Sequence, residues 1–195
     1  ISASDFRLDF FPEEKDQIFA ENLFRKLGIE ENDFVVSLSP VSRQPYKVWP
    51  ADRFAQVADW LAEKYNEKIL FLFGPGEKHF IETVRASMKM PSLLDYTVPT
   101  LTETLSILQR VHLHLGNDNG IRHFAVAADT PSLAIFGRPW AANWTPPEQT
   151  RHRALEFDPG CKKKCVFPKC KLECLKGVNV DAVKTELEII IDNLN

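Results

Sequence analysis

The sequence predicts an α/β fold built on a doubly wound, mostly parallel sheet of the Rossmann-like kind. Three observations carry that expectation. Short apolar runs recur along the chain, amphipathic helical stretches separate them, and Gly- or Pro-containing turns punctuate the junctions. A continuous apolar run reads as a strand buried on both faces, and helices alternating with such strands are the crossovers that cover a parallel sheet.

In chain order, Phe6 to Phe11 reads as a short extended piece. Pro12 then opens a helix in which Phe19, Leu23 and Leu27 recur every four residues until Gly28 stops it. Phe34 to Ser39 is a buried strand, followed by a loop from Pro40 to Pro50 rich in Ser, Arg, Gln, Pro and Lys. Ala51 to Tyr65 places Phe54, Val57, Ala58 and Leu61 on one helical face, and Lys68 to Phe73 is the next strand, ended by Gly74-Pro75-Gly76. A helix (Glu77 to Met88), a short strand (Ser92 to Asp95) and a second helix (Leu101 to Arg110) come next. The run His112 to Leu115 then feeds Gly116-Asn117-Asp118-Asn119-Gly120 and a helix carrying His123. Ser132 to Phe136 and Arg153 to Phe157 read as further strands, and a terminal helix buries Val180, Val183, Leu187, Ile190 and Leu194.

The 195 residues, 44% hydrophobic and 26% charged, suffice for one sizeable core. A formal charge of -3 and a pI near 6.0 argue against nucleic acid as the main partner. With no long apolar run and no basic segment leading into an apolar one, the reading is a soluble chain without a signal peptide. The chain opens without an initiator methionine, and we expect it to belong to something longer.

Ligands of open α/β sheets sit beyond the carboxyl ends of the strands, so the loops after the strands define the candidate site. They hold Ser42, Arg43 and Lys47; Gly74 to Glu77; Val98, Pro99 and Thr100; Asp118 to His123; and Arg138, Asn143 and Trp144. Either Asp118 or Asn119 can cap the helix that follows, and the free amides of a helix N-terminus favour an anion. Cations, amides and a carboxylate able to accept from a ribose diol suit a nucleotide diphosphate. Neither GxGxxG after the first strand nor GxxxxGK[ST] is present, and no Asp-x-Asp pair offers to hold a divalent ion. Charge on a leaving diphosphate therefore falls to side chains and amides, with no metal required for transfer. Trp49 reads as packing, and His123 as either a ligand contact or a capping or packing residue. His112 and His114 alternate along a strand, and neither reads as a site residue.

Lys47-Val48-Trp49-Pro50 opening a helix, Gly116-x-Asp118-x-Gly120-x-x-His123 after a later strand, and Pro131 through Phe136-Gly137 together resemble glycosyltransferase family 9, which contains the ADP-heptose:lipopolysaccharide heptosyltransferases. The resemblance implies the C-terminal half of a two-domain GT-B enzyme. Residues 1–32 would be a linker and helix entering from an N-terminal domain. Residues 33–195 would bind the nucleotide sugar, with a Cys-rich segment at 158–177 and a terminal helix at 180–194. It implies that Lys47 meets the diphosphate, that Asp118 lies near the donor sugar, and that Asn119 and Gly120 face the phosphates. The family usually has Thr where this chain has Asn119. His123 matches the motif histidine, Ser42 and Arg43 lie where small hydroxyl residues are common, Glu77 is the candidate for the ribose, and Val98 to Thr100 would line the adenine. The general base would belong to the N-terminal half. The implied donor is an ADP-sugar, the acceptor lipopolysaccharide core or a lipid A-linked sugar, and the location the cytoplasm, at or near the inner face of the cytoplasmic membrane. A GT-B-type nucleotide-sugar epimerase domain and a non-catalytic nucleotide-binding module are the alternatives.

Cys161, Cys165, Cys170 and Cys174 form C-x3-C-x4-C-x3-C, which is not a standard zinc spacing. Reduced structural thiols, a zinc or iron site, and disulfides all remain open for this cluster. Lys162, Lys163, Lys164, Lys169 and Lys171 make the segment basic, as a solvated loop or as a face for anionic lipid headgroups.

Overall fold

The computed structural model describes residues 10–94, 96–137, 140–146, 150–161 and 165–194. Five strands, β1 (Val35–Ser39), β2 (Lys68–Phe71), β3 (Leu113–Asn117), β4 (Ser132–Phe136) and β5 (His152–Glu156), form one sheet in the order β2-β1-β3-β4-β5. Every pairing is parallel. The helices are α1 (Glu14–Lys26), α2 (Ala51–Tyr65), α3 (Lys78–Arg85), α4 (Leu101–Leu108), α5 (Gly120–Ala127), the single turn α6 (Ala141–Trp144), α7 (Glu173–Gly177) and α8 (Val180–Asp192).

Side-chain alternation divides each central strand between two cores. Val36, Leu38, Ile69, Phe71, Leu113, Leu115, Leu133 and Ile135 pack with Phe54, Val57 and Leu61 of α2, Ile81 and Val84 of α3, and Val183, Leu187 and Ile190 of α8. On the opposite face Val35 and Leu70 join Ala20 and Leu23 of α1, Ile107 and Leu108 of α4, and Ala125 of α5. The sheet is thus covered on both sides, and its strand order reverses direction between β1 and β3. Such a reversal opens a crevice beyond the strand ends, because the two loops leave toward opposite faces.

Several sequence expectations shift at their edges. Of the extended piece expected at Phe6 to Phe11, residues 6–9 lie outside the described residues, and Phe10 and Phe11 are in no strand. The first helix begins at Glu14 rather than Pro12, where the Glu13 amide donates to the Asp16 carboxylate at 2.9 Å. Within the stretch Ser92 to Asp95, Leu93 makes only an isolated bridge to Leu70, so the piece adds no strand. β3 runs on through Asn117, which draws the first two residues of the glycine-rich motif into the sheet. No helix among the described residues is long and apolar enough to cross a membrane.

Candidate active site

The loop after β1 is held at both ends. Its 3-10 turn, Pro45–Lys47, lies against the end of β4, where a Cβ on Gly137 would stand 1.8 Å from the Tyr46 carbonyl oxygen. Only a glycine admits that approach. At its far end the Trp49 amide donates to Asn117 Oδ1 at 3.0 Å. Trp49 itself is 0% exposed, packs edge-on to Phe54, and donates its indole N–H to the Val178 carbonyl at 2.9 Å. It is packing, as its size and position predict.

Between those anchors Lys47 reaches across the crevice. Its Nζ lies 2.6 Å from an Asp118 carboxylate oxygen, with the two side chains 29% and 13% exposed. The pair therefore sits at the β1/β3 reversal and at the N-terminus of α5. Asn119, rather than Asp118, caps that helix: its Oδ1 accepts the Arg122 amide at 3.1 Å. Its Nδ2 donates to Ser39 Oγ at 2.8 Å and to the Val41 carbonyl at 2.9 Å, tying the two loops together. The Asn119 side chain is thereby occupied in holding the crevice in shape. A Cβ at Gly120 would meet nothing within 4 Å, so protein packing alone does not demand glycine there.

These groups border an open cavity of about 520 Å³. Ser42, Arg43, Lys47, Glu77, Pro99, Asp118, Asn119, Gly120 and His123 all line it, so most of the residues singled out from sequence converge on one crevice. Ser42 Oγ accepts the Gln44 amide at 3.3 Å, and Glu77 Oε2 accepts the Gly74 amide at 2.7 Å. Val98 and Thr100 stand apart from the lining. Thr100 caps α4 in a reciprocal arrangement with Glu103, the Thr100 amide lying 2.6 Å from the Glu103 carboxylate. Leu101, the next residue, and Thr104, one turn further on, border the cavity instead. Arg138 lies outside the described residues. His123 meets the Trp144 ring edge-on with centroids 5.7 Å apart. Burial lowers its pKa, and Arg122 and Lys47 lower it further against the opposing charge of Asp118, so the imidazole is neutral at pH 7.

Cys161, Cys165, Cys170 and Cys174 are free thiols that border one small cavity of about 20 Å³, together with Tyr46, Gly137 and Phe167. Burial raises the Cys174 pKa, and Cys161 and Cys170 add to the shift. Among the described residues no three His, Cys, Asp or Glu side chains are drawn together closely enough to hold a metal. The four cysteines form no disulfide, and their thiols share a cavity without closing into a coordination set.

A family model for glycosyltransferase family 9 (heptosyltransferase) matches residues 5–176. The chain belongs to glycosyltransferase family 9. Lipopolysaccharide heptosyltransferase 3 of Escherichia coli K12 is 24% identical over 169 residues, which are 77% of this chain and 49% of that protein. The family 9 glycosyltransferase of Veillonella parvula superposes with a TM-score of 0.77 at 21% identity, covering 97% of this chain and 55% of that one. E. coli ADP-heptose lipopolysaccharide heptosyltransferase II gives 0.72 at 16% identity, over 97% and 54%. Two more distant structures share the fold. One is E. coli heptosyltransferase WaaC with ADP-2-deoxy-2-fluoro heptose (0.61, 17% identity, 87% of this chain and 47% of that one). The other is the iron-containing dodecameric glycosyltransferase TibC (0.60, 11%, 95% and 50%). The chain spans half or less of the length of the curated relatives it matches.

The crevice is also braced by residues that motif reading passes over. Arg122 is 1% exposed, donates to the Trp144 carbonyl, and lies 5.9 Å from the Phe136 ring centroid. Burial lowers its pKa to about 10, with Asp118 pulling the other way. Nothing in sequence marks it, because an arginine in a first helical turn normally reads as solvated. Asn117 is similarly hidden, looking like loop when it is strand.

Proposed function

We propose that this chain is the donor-binding half of a family 9 enzyme that transfers a sugar from an ADP-sugar to lipopolysaccharide core or a lipid A-linked acceptor. The Lys47–Asp118 pair at the N-terminus of α5, inside the 520 Å³ cavity, carries the reading. In it, Lys47 and the first amides of α5 take the diphosphate and offset its charge as it leaves. Glu77 accepts from the ribose, Pro99 and Leu101 border the adenine, and Asp118 orients the sugar. The general base belongs to the other half, and transfer needs no metal. WaaC with bound ADP-2-deoxy-2-fluoro heptose supports the donor class. The reading places the protein in the cytoplasm, at the inner face of the membrane that holds its acceptor.

Lys47→Ala should weaken ADP binding by about 1.5–3 kcal/mol, the worth of a hydrogen bond to a charged group, and leave adenosine binding nearly unchanged. Calorimetry with both ligands is the test. Equal losses for adenosine and ADP would sink the assignment.

We also propose that the four cysteines take one structural zinc or iron ion, with thiolates supplying all the ligands. The shared cavity supports this, as does the iron in TibC. Protein purified without chelator should then carry close to one equivalent of metal, and Cys165→Ser with Cys170→Ser should lose both the ion and local stability, since binding a metal contributes directly to folding. Metal-free protein with four titratable thiols and unchanged stability refutes it.

A further inference from the structure

Arg122 is a cation that the fold buries without pairing. It is the third residue of α5, and helical side chains lean back toward the helix start, so a long side chain at this position carries its charge to the turn that opens the helix. The residue is 1% exposed. Of the three guanidinium nitrogens only Nη1 has a partner, the Trp144 carbonyl, while Nε and Nη2 are buried without a hydrogen bond. Among the described residues Arg122 makes no ion pair, and the carboxylate whose charge acts on it, Asp118, is already held by Lys47 at 2.6 Å.

Burying a guanidinium without a carboxylate is costly, and an apolar side chain of similar volume fills such a space more cheaply. The counter-charge that the fold omits can instead come from an anion in the crevice. The charge of Arg122 does reach that far. Burial and then Arg122 depress the pKa of His123, which lines the cavity. At the start of α5 two cations, Lys47 and Arg122, stand against the one carboxylate of Asp118, and the positive end of the helix dipole adds to the excess.

We propose that Arg122 is a buried counter-charge for the phosphate groups bound at the α5 N-terminus, raising their affinity through the protein interior without touching them. Such a charge discriminates by ligand charge alone, so it favours nucleotides in the order of their phosphates and is blind to the nucleoside. Two unit charges about 10 Å apart, at an effective dielectric of about 20, alter one another's binding by on the order of tenfold. The rival is a purely structural arginine that holds the Trp144 carbonyl, and with it the α6 wall of the crevice.

The proposal rests on the donor-site reading above, and its test separates the two. Adenosine, AMP and ADP are titrated calorimetrically into the wild-type chain, Arg122→Gln, Arg122→Met and Arg122→Lys. Arg122→Gln keeps a donor for the Trp144 carbonyl and loses the charge, Arg122→Met loses both, and Arg122→Lys keeps the charge. The expected result in both neutral variants is a loss that grows with ligand charge: none for adenosine, about threefold for AMP and about tenfold for ADP, with Arg122→Lys within about threefold of the wild type for ADP. Equal losses for all three ligands, or an Arg122→Gln that binds ADP as the wild type does, would make the residue structural and overturn the counter-charge, leaving the nucleotide site standing. An Arg122→Lys as weak for ADP as the neutral variants overturns it too. A wild type that binds ADP no better than adenosine overturns the donor-site reading and the counter-charge with it.

Discussion

At the scale of single residues, Asn119 illustrates how one side chain on the lining of a crevice can serve structure. Its Oδ1 caps α5, and its Nδ2 holds Ser39 Oγ and the Val41 carbonyl, so it fastens the β1 loop to the β3 loop. Asn119→Ala should cost about 1–2 kcal/mol of stability, as cap removal does, and loosen the Lys47 loop as well. Asn119→Thr keeps a capping oxygen but has no amide to bridge the loops, so it should recover only part of the loss in urea unfolding. A threonine variant as stable as the wild type would show that the Nδ2 bridge contributes nothing. Three histidines show the same dependence on surroundings. His114 is buried against Ser37, with Oγ and Nδ1 2.9 Å apart, and its pKa falls to about 3 through burial and then the charge of Arg122. His152, against Ser132, falls to about 4 for the same leading reason, with Asp129 opposing. His112 stacks on Phe34 and is lowered too. None of these three borders the crevice beyond the strand ends.

At the scale of elements, the turn at Pro45–Lys47 is positioned by a strand it does not pair with. Gly137→Ala would drive a methyl into the Tyr46 carbonyl, so the turn must move or β4 must. The expected cost is about 1–3 kcal/mol, as for other overpacking changes, together with weaker ADP binding because Lys47 rides on that turn. Destabilisation with ADP affinity intact would mean that Lys47 is placed independently. This dependence also marks what sequence can and cannot disclose. Ser132 to Phe136 and the helix from Ala51 to Tyr65 are legible to the residue, because an unbroken apolar run and a four-residue apolar repeat each have one good solution. The crevice is legible as a set of loops, since strand ends converge by topology. Thr100 misleads because a hydroxyl beside a helix start serves a ligand or a cap equally well, and the Glu103 that decides it three residues on reads as surface charge. Arg122 and Asn117 go unmarked in the sequence for a related reason: their burial arises from elements elsewhere in the chain, α6 and the Trp49 loop, and leaves no periodic trace.

At the scale of the whole molecule, two properties follow. The first is a stability optimum near pH 6.5. The histidines with lowered pKa stay neutral in the fold, so below about 6.5 the unfolded chain binds more protons and stability falls with pH, by about 1.4 kcal/mol per unit for each fully buried one. Glu67 acts in the opposite sense. Burial lifts its carboxyl from 4.5 to about 8, so between those values the fold holds the extra proton and stability falls as pH rises. Melting temperature should thus decline on both sides, and Glu67→Gln should flatten the arm between pH 6.5 and 8; an unchanged arm would show that Glu67 is solvated. The second property concerns activity. The chain spans about half of its curated relative, and on the donor-half reading it supplies one wall of a two-walled site. General base catalysis needs the base within hydrogen-bond reach of the acceptor hydroxyl, and domain closure is what brings donor and acceptor together. Asp118 borders the crevice, and Lys47 already engages it at 2.6 Å, so accepting a proton there would break that ion pair. The isolated chain should therefore bind ADP-heptose and transfer nothing, even in a single-turnover assay with lipopolysaccharide core as acceptor and protein in excess. Transferred heptose above a heat-inactivated control would place the base within these 195 residues and overturn the division of labour between the halves.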